Sequence, residues 1–284
     1  MIAVIMYDSS MVASAHLISR VLISSALVVL ALGVTACASG DSAAKGKPEQ
    51  VRIVTAAAPL TFVAKQLGGR QAKVVELTSS NPQGLATANQ AHDLQLTNTA
   101  KRRLEEADVV LYLGSRVQPR LARWIDGLPN SVQVIDILAV DGIDVLDGAG
   151  GVPDPHVWMD PIRMQVVVAA IGVELDDAGI ADAPRRADNL NEELRAADTR
   201  YRMLLQGCVT RTFADDASHD TWAYLGDRYD IGPTPNLIAP HSSMRTMEDT
   251  SANYLGELES NFDVLRRELR CTVKNPTEDA ERGQ

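Results

Sequence analysis

The chain has 284 residues, with 27 Lys and Arg against 37 Asp and Glu, which gives a net charge of −10. The length suits one large domain or two of ordinary size, and 45% of apolar residues is enough to build a hydrophobic core. The excess of acidic residues and the 4% of aromatic residues argue against nucleic acid or an anionic lipid surface as the main partner. The three scattered cysteines exclude a disulfide scaffold and a cysteine-based zinc finger.

An uncharged apolar stretch follows Arg20 near the start of the chain. Its sixteen residues are fewer than the roughly 20 that a transmembrane helix needs, and the basic flank and the small residues at its end are typical of a secretory signal peptide. It ends in Val34-Thr35-Ala36-Cys37, which resembles a bacterial lipobox, the motif whose Cys thiol is lipidated. We therefore predict a lipidated Cys37 followed by a flexible polar tether. An ordinary signal peptide with an incidental cysteine is the alternative.

Short apolar strands alternate with helices between residues 51 and 135. This alternation predicts βα units and a parallel sheet covered on both faces, with ligand-binding loops at the carboxyl ends of the strands. The predicted strands are residues 51–56, 74–77, 109–113 and 132–135, and the predicted helices are residues 59–67, 100–107 and 119–128.

The second half of the chain is mainly helical. Asp160 and Pro161 form a good N-cap and first-turn pair for a helix to about residue 177. A further helix over residues 184–205 would extend roughly 33 Å, long enough to bridge two lobes. We also predict a strand at residues 209–214 and helices near residues 221–228 and 246–269, whereas residues 230–284 are polar and poor in strand signals.

Three of the five histidines share a context, because His92, His156 and His219 each lie beside an Asp or one residue from it, in a loop or at a helix start. Neutral imidazole is the commonest biological zinc ligand, and a nearby carboxylate can hold its second ring N–H. Three imidazoles from separate loops can form a tetrahedral zinc site with one open position. Spacing alone favours three unrelated loop histidines, since no HExxH or HxH pair is present.

An eight-residue string around His156 changes the balance between a metal site and three unrelated histidines. Residues 154–161, DPHVWMDP, resemble the DPHxWLDP signature of the zinc/manganese substrate-binding lipoproteins of bacterial ABC importers, the cluster A-I family. Residues 91–97 are similar to its PHDYEPT loop, residues 107–114 to its AD-V-Y-G strand, and residues 213–224 to its HDAFGYFA segment, with Trp222 and Tyr224 as the aromatics. The resemblance covers about residues 51–231. It implies metal ligands at His92, His156 and His219, oriented by Asp93, Asp154 and Asp220.

The resemblance also implies a function, the extracytoplasmic capture of a divalent transition metal and its delivery to an ABC permease with a separate ATPase. Imidazole ligands suit Zn²⁺ better than Ca²⁺ or Mg²⁺, while Mn²⁺ stays possible as cargo. We expect a monomer without enzymatic activity or a nucleic-acid partner, held at the outer face of the cell membrane by its lipid alone.

The family's fold is expected to be α/β, with two βα lobes that contain parallel sheets and are joined by a long rigid helix. Family members continue into a full second lobe with acidic residues near the metal. The second lobe of this chain is predicted to be incomplete, because residues 230–284 are poor in strand signals. The expected organisation is a signal peptide at residues 1–36, lipidated Cys37 and tether at 37–50, an N-terminal metal-binding lobe at 51–160, a helical connection at 161–206 and a partial C-terminal lobe at 207–284.

Several points stay open in the sequence. Water, His241 or Glu248 can supply the fourth ligand, with water favoured. The acidic loop containing Asp141, Asp144 and Asp147 has no His and is interpreted as solvated.

The sequence leaves two other functions open. A zinc hydrolase would need an activated water and a general base, and no nucleophile elbow or HExxH helix is present. A degenerate surface lipoprotein would act through protein contacts or adhesion. Cys208 and Cys271 can pair outside the cytosol, but their spacing does not decide whether they do.

Overall fold

The computed structural model describes residues 50–77, 96–215, 221–238 and 252–272. The predicted signal peptide and Cys37 lie outside these residues, as do His241 and Glu248. Across the four described ranges, no helix combines the length and the apolar character that a bilayer crossing requires.

The first sheet has four parallel strands, β1 (Val51–Thr55), β2 (Ala72–Glu76), β3 (Val109–Tyr112) and β4 (Gln133–Asp136), in the order β2-β1-β3-β4. All four residues of β3 are buried, as expected for an inner strand covered on both faces. The register places Ile53 of β1 opposite Val109 of β3. The predicted parallel sheet is therefore confirmed, with strand ends shifted by up to two residues.

Helices cover both faces of this sheet. Helix α1 (Ala58–Gly68) lies on one face, and α2 (Asn98–Glu105) and α3 (Pro119–Ile125) contribute to the other. Successive strand residues point to opposite faces, so Val109 and Val110 belong to different core clusters. Proline lies in the first turn of α1 and α3, where its missing N–H costs no helical bond.

Two long helices follow, α4 (Pro161–Asp177) and α5 (Ala183–Leu205), and they pack against each other. Both match their predicted extents closely. Gly172 allows the close approach, because a Cβ added there would lie 2.8 Å from the Cβ of Ala187. Helix α5 has 23 residues, which corresponds to roughly 34 Å at 1.5 Å per residue.

The described part of the second half also contains a parallel strand pair, β5 (Thr212–Asp215) and β6 (Gly232–Ile238), with α6 (Ala223–Tyr229) between them in the chain. Strand β6 corrects the expectation that the region after residue 230 lacks a strand. Pro233 and Pro235 weaken its sequence signal because they remove two backbone donors. Prolines are tolerated on edge strands, and among the described residues each strand of this pair is an edge.

The last helix of the described residues, α7 (Tyr254–Glu268), packs on α5. A disulfide joins Cys208, after α5, to Cys271, after α7, which answers the question that the spacing left open. The hydroxyl of Tyr201 donates to the backbone oxygen of Leu258 at 2.7 Å, which fixes the two helices together. The predicted start of this helix, at residue 246, lies outside the described residues.

Candidate metal centre

The DPHVWMDP string forms a buried turn that leads into α4. Asp154 and His156 are only 4% and 3% exposed, and Val157–Met159 make a single 3₁₀ turn. Asp160 then caps the helix, since its Oδ1 accepts a hydrogen bond from the backbone N–H of Ile162 at 2.8 Å. The predicted capping pair at residues 160 and 161 is confirmed. The turn therefore holds His156 on a rigid support.

Asp154 sets the orientation of the His156 ring. Its Oδ1 lies 2.6 Å from Nδ1 of His156 and 2.9 Å from the backbone nitrogen of the same residue. An ionised carboxylate only accepts hydrogen bonds, so the proton between the two side chains is on Nδ1. A neutral imidazole in this tautomer carries its lone pair on Nε2, which is the form that binds metal. This geometry fits the predicted role of Asp154, while metal binding by His156 stays a prediction.

Tyr224, on α6, contacts the backbone of the same turn. Its hydroxyl donates to the carbonyl oxygen of Asp154 at 2.7 Å and accepts from the backbone N–H of Leu146 at 3.0 Å. Burial raises the pKa of Tyr224, so the hydroxyl keeps its proton and stays a donor. The sequence identified this residue only as one of the aromatics in a resembling segment.

Arg163 connects three parts of the chain below the turn. It donates to Asp160 at 2.9 Å, to Asp227 of α6 at 2.8 Å and to the carboxylate of Asp144 at 3.1 Å, and it lies 5.0 Å from the centre of the Tyr224 ring. Burial alone would lower the pKa of Arg163, but the bonds to Asp227 and Asp160 raise it overall. The sequence predicts a solvated acidic loop, and Asp144 is indeed exposed, but its carboxylate also forms an ion pair with Arg163.

A second charged cluster surrounds Asp198 in the middle of α5. Its carboxylate accepts from Arg228 at 3.0 Å, from Arg202 at 3.0 Å and from the hydroxyl of Tyr229 at 3.1 Å. Burial alone would raise the pKa of Asp198, but these hydrogen bonds lower it overall. Arg228 also lies 3.6 Å from Asp160, so the two clusters are neighbours.

The structure places two of the six residues predicted for the metal site, Asp154 and His156. The other four, His92, Asp93, His219 and Asp220, lie outside the described residues. Within the described ranges, no three His, Cys, Asp or Glu side chains come together as a metal-binding group. The sequence reasoning missed Arg163 as a support of the turn, although its position three residues after Asp160 on a helix is a recognisable signal.

Comparison with known proteins identifies a family. A family model described as ZnuA, zinc-uptake complex component A, periplasmic, matches residues 53–267. The high-affinity zinc uptake system protein ZnuA of Paracoccus denitrificans (strain Pd 1222) is 24% identical over 244 residues, which cover 70% of each chain. The protein of that name from Bacillus subtilis (strain 168) is 22% identical over 236 residues, which cover 75% of this chain and 70% of that one.

Solved structures share the fold. Zn(II)-bound AdcA from Streptococcus pneumoniae superimposes with a TM-score of 0.65 at 18% identity, over 78% of this chain but only 58% of AdcA. The metal-dependent lipoprotein YcdH from Bacillus subtilis gives 0.63 at 18% identity, over 78% of this chain and 100% of that one. The laminin binding protein Lmb of Streptococcus agalactiae, described as having adhesin and metal transporting activity, gives 0.63 at 17% identity over the same shares.

These likenesses confirm the predicted α/β fold with parallel sheets. The family model extends from β1 to the last turn of α7 and so spans most of the chain. The chain therefore belongs to the ZnuA family, the periplasmic component A of zinc-uptake complexes, and its function is metal capture outside the cytoplasm.

Proposed function

We propose that this protein captures Zn²⁺ with His92, His156 and His219 and delivers it to an ABC permease driven by a separate ATPase. The observation that carries the proposal is the buried pair formed by His156 and Asp154, with 2.6 Å between Nδ1 and Oδ1. A carboxylate on the second ring nitrogen is the usual support of a zinc-binding histidine in proteins.

The topology supports the same ligand set. His92 follows β2 in the chain, His156 follows β4, and His219 follows β5. Each predicted ligand thus comes after the carboxyl end of a parallel strand, where open α/β sheets bind their ligands. The two curated relatives are zinc uptake proteins, and the AdcA structure contains Zn(II).

The chemistry of the donors favours zinc over harder cations. Three neutral imidazoles and an open fourth position suit Zn²⁺, with water as the proposed fourth ligand and His241 or Glu248 as alternatives. Mn²⁺ is the second candidate cargo, although it prefers oxygen ligands. We propose that the protein has no enzymatic activity, acts as a monomer and is attached to the membrane only through a lipid on Cys37.

The proposal of a degenerate lipoprotein that acts only through protein contacts or adhesion is not favoured. The family model continues through α7 to residue 267, so the atypical region after residue 230 does not interrupt the match.

A zinc titration of residues 38–284 against a competing chromogenic chelator tests the proposal. The unaltered protein should bind one Zn²⁺, and His92→Ala, His156→Ala and His219→Ala should each weaken binding by about 100-fold or more, because each removes one of few ligands. His241→Ala distinguishes the two kinds of fourth ligand, because it should change affinity only slightly if that ligand is water. Asp147→Asn, at an exposed position of the loop before α4, is the control and should leave zinc affinity unchanged. Thermal unfolding of each metal-free variant shows whether it is folded. Unchanged zinc binding by folded His156→Ala would reject the site.

A further inference from the structure

We infer that Tyr224 is a positioning residue of the metal site, which holds the Asp154–His156 pair in place from the segment that carries His219. The inference rests on the proposed function and adds a residue to its site. It starts from a chain of two hydrogen bonds. The hydroxyl of Tyr224 donates to the carbonyl oxygen of Asp154 at 2.7 Å, and the carboxylate of Asp154 lies 2.6 Å from Nδ1 of His156.

The hydroxyl has both of its roles in use. Besides donating to Asp154, it accepts from the backbone N–H of Leu146 at 3.0 Å, and Tyr224 is fully buried. Residues 146 and 154 are also joined directly, because the backbone N–H of Asp154 donates to the carbonyl oxygen of Leu146 at 2.8 Å. One side-chain oxygen therefore closes a small ring of bonds around the backbone that precedes His156. These bonds fix the backbone position from which the side chain of Asp154 extends to His156.

Because of its position in the chain, Tyr224 links two segments that carry predicted metal ligands. Tyr224 lies in the first turn of α6, five residues after His219, whereas Asp154 and Leu146 belong to the loop before α4. A second link joins the same two segments, since Arg163 of α4 donates to Asp227 of α6 at 2.8 Å. These hydrogen bonds connect two predicted ligand segments without involving the metal. Such preorganisation reduces the entropy that metal binding must overcome.

The Tyr224→Phe variant tests the inference, with Tyr201→Phe as its matched control. Tyr201 is also a buried tyrosine whose hydroxyl donates to a backbone oxygen at 2.7 Å, but that oxygen belongs to Leu258 on α7. Phenylalanine keeps the ring in both positions, so both variants should fold and lose some thermal stability. Only Tyr224→Phe should weaken Zn²⁺ binding, by about 10-fold, which is the effect expected for a residue behind a ligand.

The visible d–d spectrum of the Co²⁺-loaded protein supplies a readout that stability alone does not move, because it reports ligand geometry. We expect a changed spectrum for Tyr224→Phe and an unaltered one for Tyr201→Phe. Unchanged zinc affinity and spectrum in Tyr224→Phe would overturn the inference while the proposed function stands. Equal loss of zinc affinity in both variants would also overturn it, as a general stability effect. Failure of the unaltered protein to bind Zn²⁺ would remove the proposed function and this inference together.

Discussion

At the scale of single residues, the proposed metal site depends on how firmly the imidazole of His156 is held. His156 is buried, and the carboxylate of Asp154 contacts both its Nδ1 and its backbone nitrogen. The sequence could predict this pair because the two residues are only two positions apart in a string that resembles a known signature. It could not predict Tyr224 or Arg228 as neighbours of that string, because they lie more than 60 positions away and are brought there by folding.

Replacing Asp154 by Asn should lower zinc affinity by about 10- to 100-fold, because the amide no longer provides a charged acceptor for Nδ1–H. Competition titration with a zinc chelator measures the change. Asp147→Asn is the matched control, since Asp147 lies in the same loop and is exposed. An Asp154→Asn protein with the affinity of the Asp147→Asn protein would contradict the role assigned to Asp154.

Asp198 should make stability depend on pH. Its pKa is lowered in the folded state, so its contribution is present above the unfolded value of about 3.9 and is lost as the pH falls through the folded pKa. At neutral pH, Asp198→Asn should reduce the free energy of unfolding by about 1–2 kcal/mol, because the buried carboxylate is lost from two arginines that water can partly solvate. The side chain of Arg228 is 23% exposed and that of Arg202 is 51% exposed.

Urea unfolding between pH 3 and pH 7 measures this effect. The difference between the unaltered protein and Asp198→Asn should shrink at the acid end. Asp188→Asn, an exposed position on the same helix, is the control and should be neutral throughout. A difference that stays constant down to pH 3 would show that the charge of Asp198 is not the cause.

At the scale of elements, helices were easier to predict than the last strand. Asp160 and Pro161 predict the start of α4, and both α4 and α5 have nearly their predicted limits. The sequence does not predict strand β6, because its prolines are typical of loops. Its pairing with β5 alone among the described strands makes it an edge strand, where prolines are tolerated. Element ends that depend on such distant pairing cannot be read from local sequence.

Gly172 should be essential for the close packing of α4 on α5. A Cβ at this position would lie 2.8 Å from Ala187, so one helix must move. We expect Gly172→Ala to destabilise the fold by about 1–2 kcal/mol, because overpacking costs more than the gain of about 1 kcal/mol in helix propensity. Urea unfolding measures it, with Val173→Ala, at an exposed site one residue away, as the control. A more stable Gly172→Ala protein would show that the helices are less tightly packed.

At the scale of the described molecule, the larger of the two core clusters runs from the first sheet to α7. Buried residues as distant as Ile53 of β1 and Leu265 of α7 belong to the same cluster. The net charge of −10 and the absence of a basic run fit a protein whose partner is a cation. The disulfide between Cys208 and Cys271 also fits an exported protein, because such bonds persist in oxidising compartments.

This disulfide should contribute strongly to stability. It joins residues 63 positions apart, and a loop of that size restricts the unfolded chain by about 4 kcal/mol in the chain-entropy relation. The double variant Cys208→Ser, Cys271→Ser should therefore unfold at a lower urea concentration, with its free energy of unfolding reduced by an amount approaching this value. Adding a reductant should destabilise the unaltered protein and leave the double variant unchanged. Equal midpoints for the two proteins would show that α7 is held by packing alone.

X-ray absorption at the zinc edge, on the purified protein loaded with one Zn²⁺, tests the proposed capture site most directly. Capture by His92, His156 and His219 would give three imidazole nitrogens at about 2.0–2.1 Å from the zinc and one further light atom. Loss of one imidazole in His156→Ala would assign His156 to that set. A shell made only of oxygen atoms, or a spectrum that His156→Ala does not change, would contradict the account.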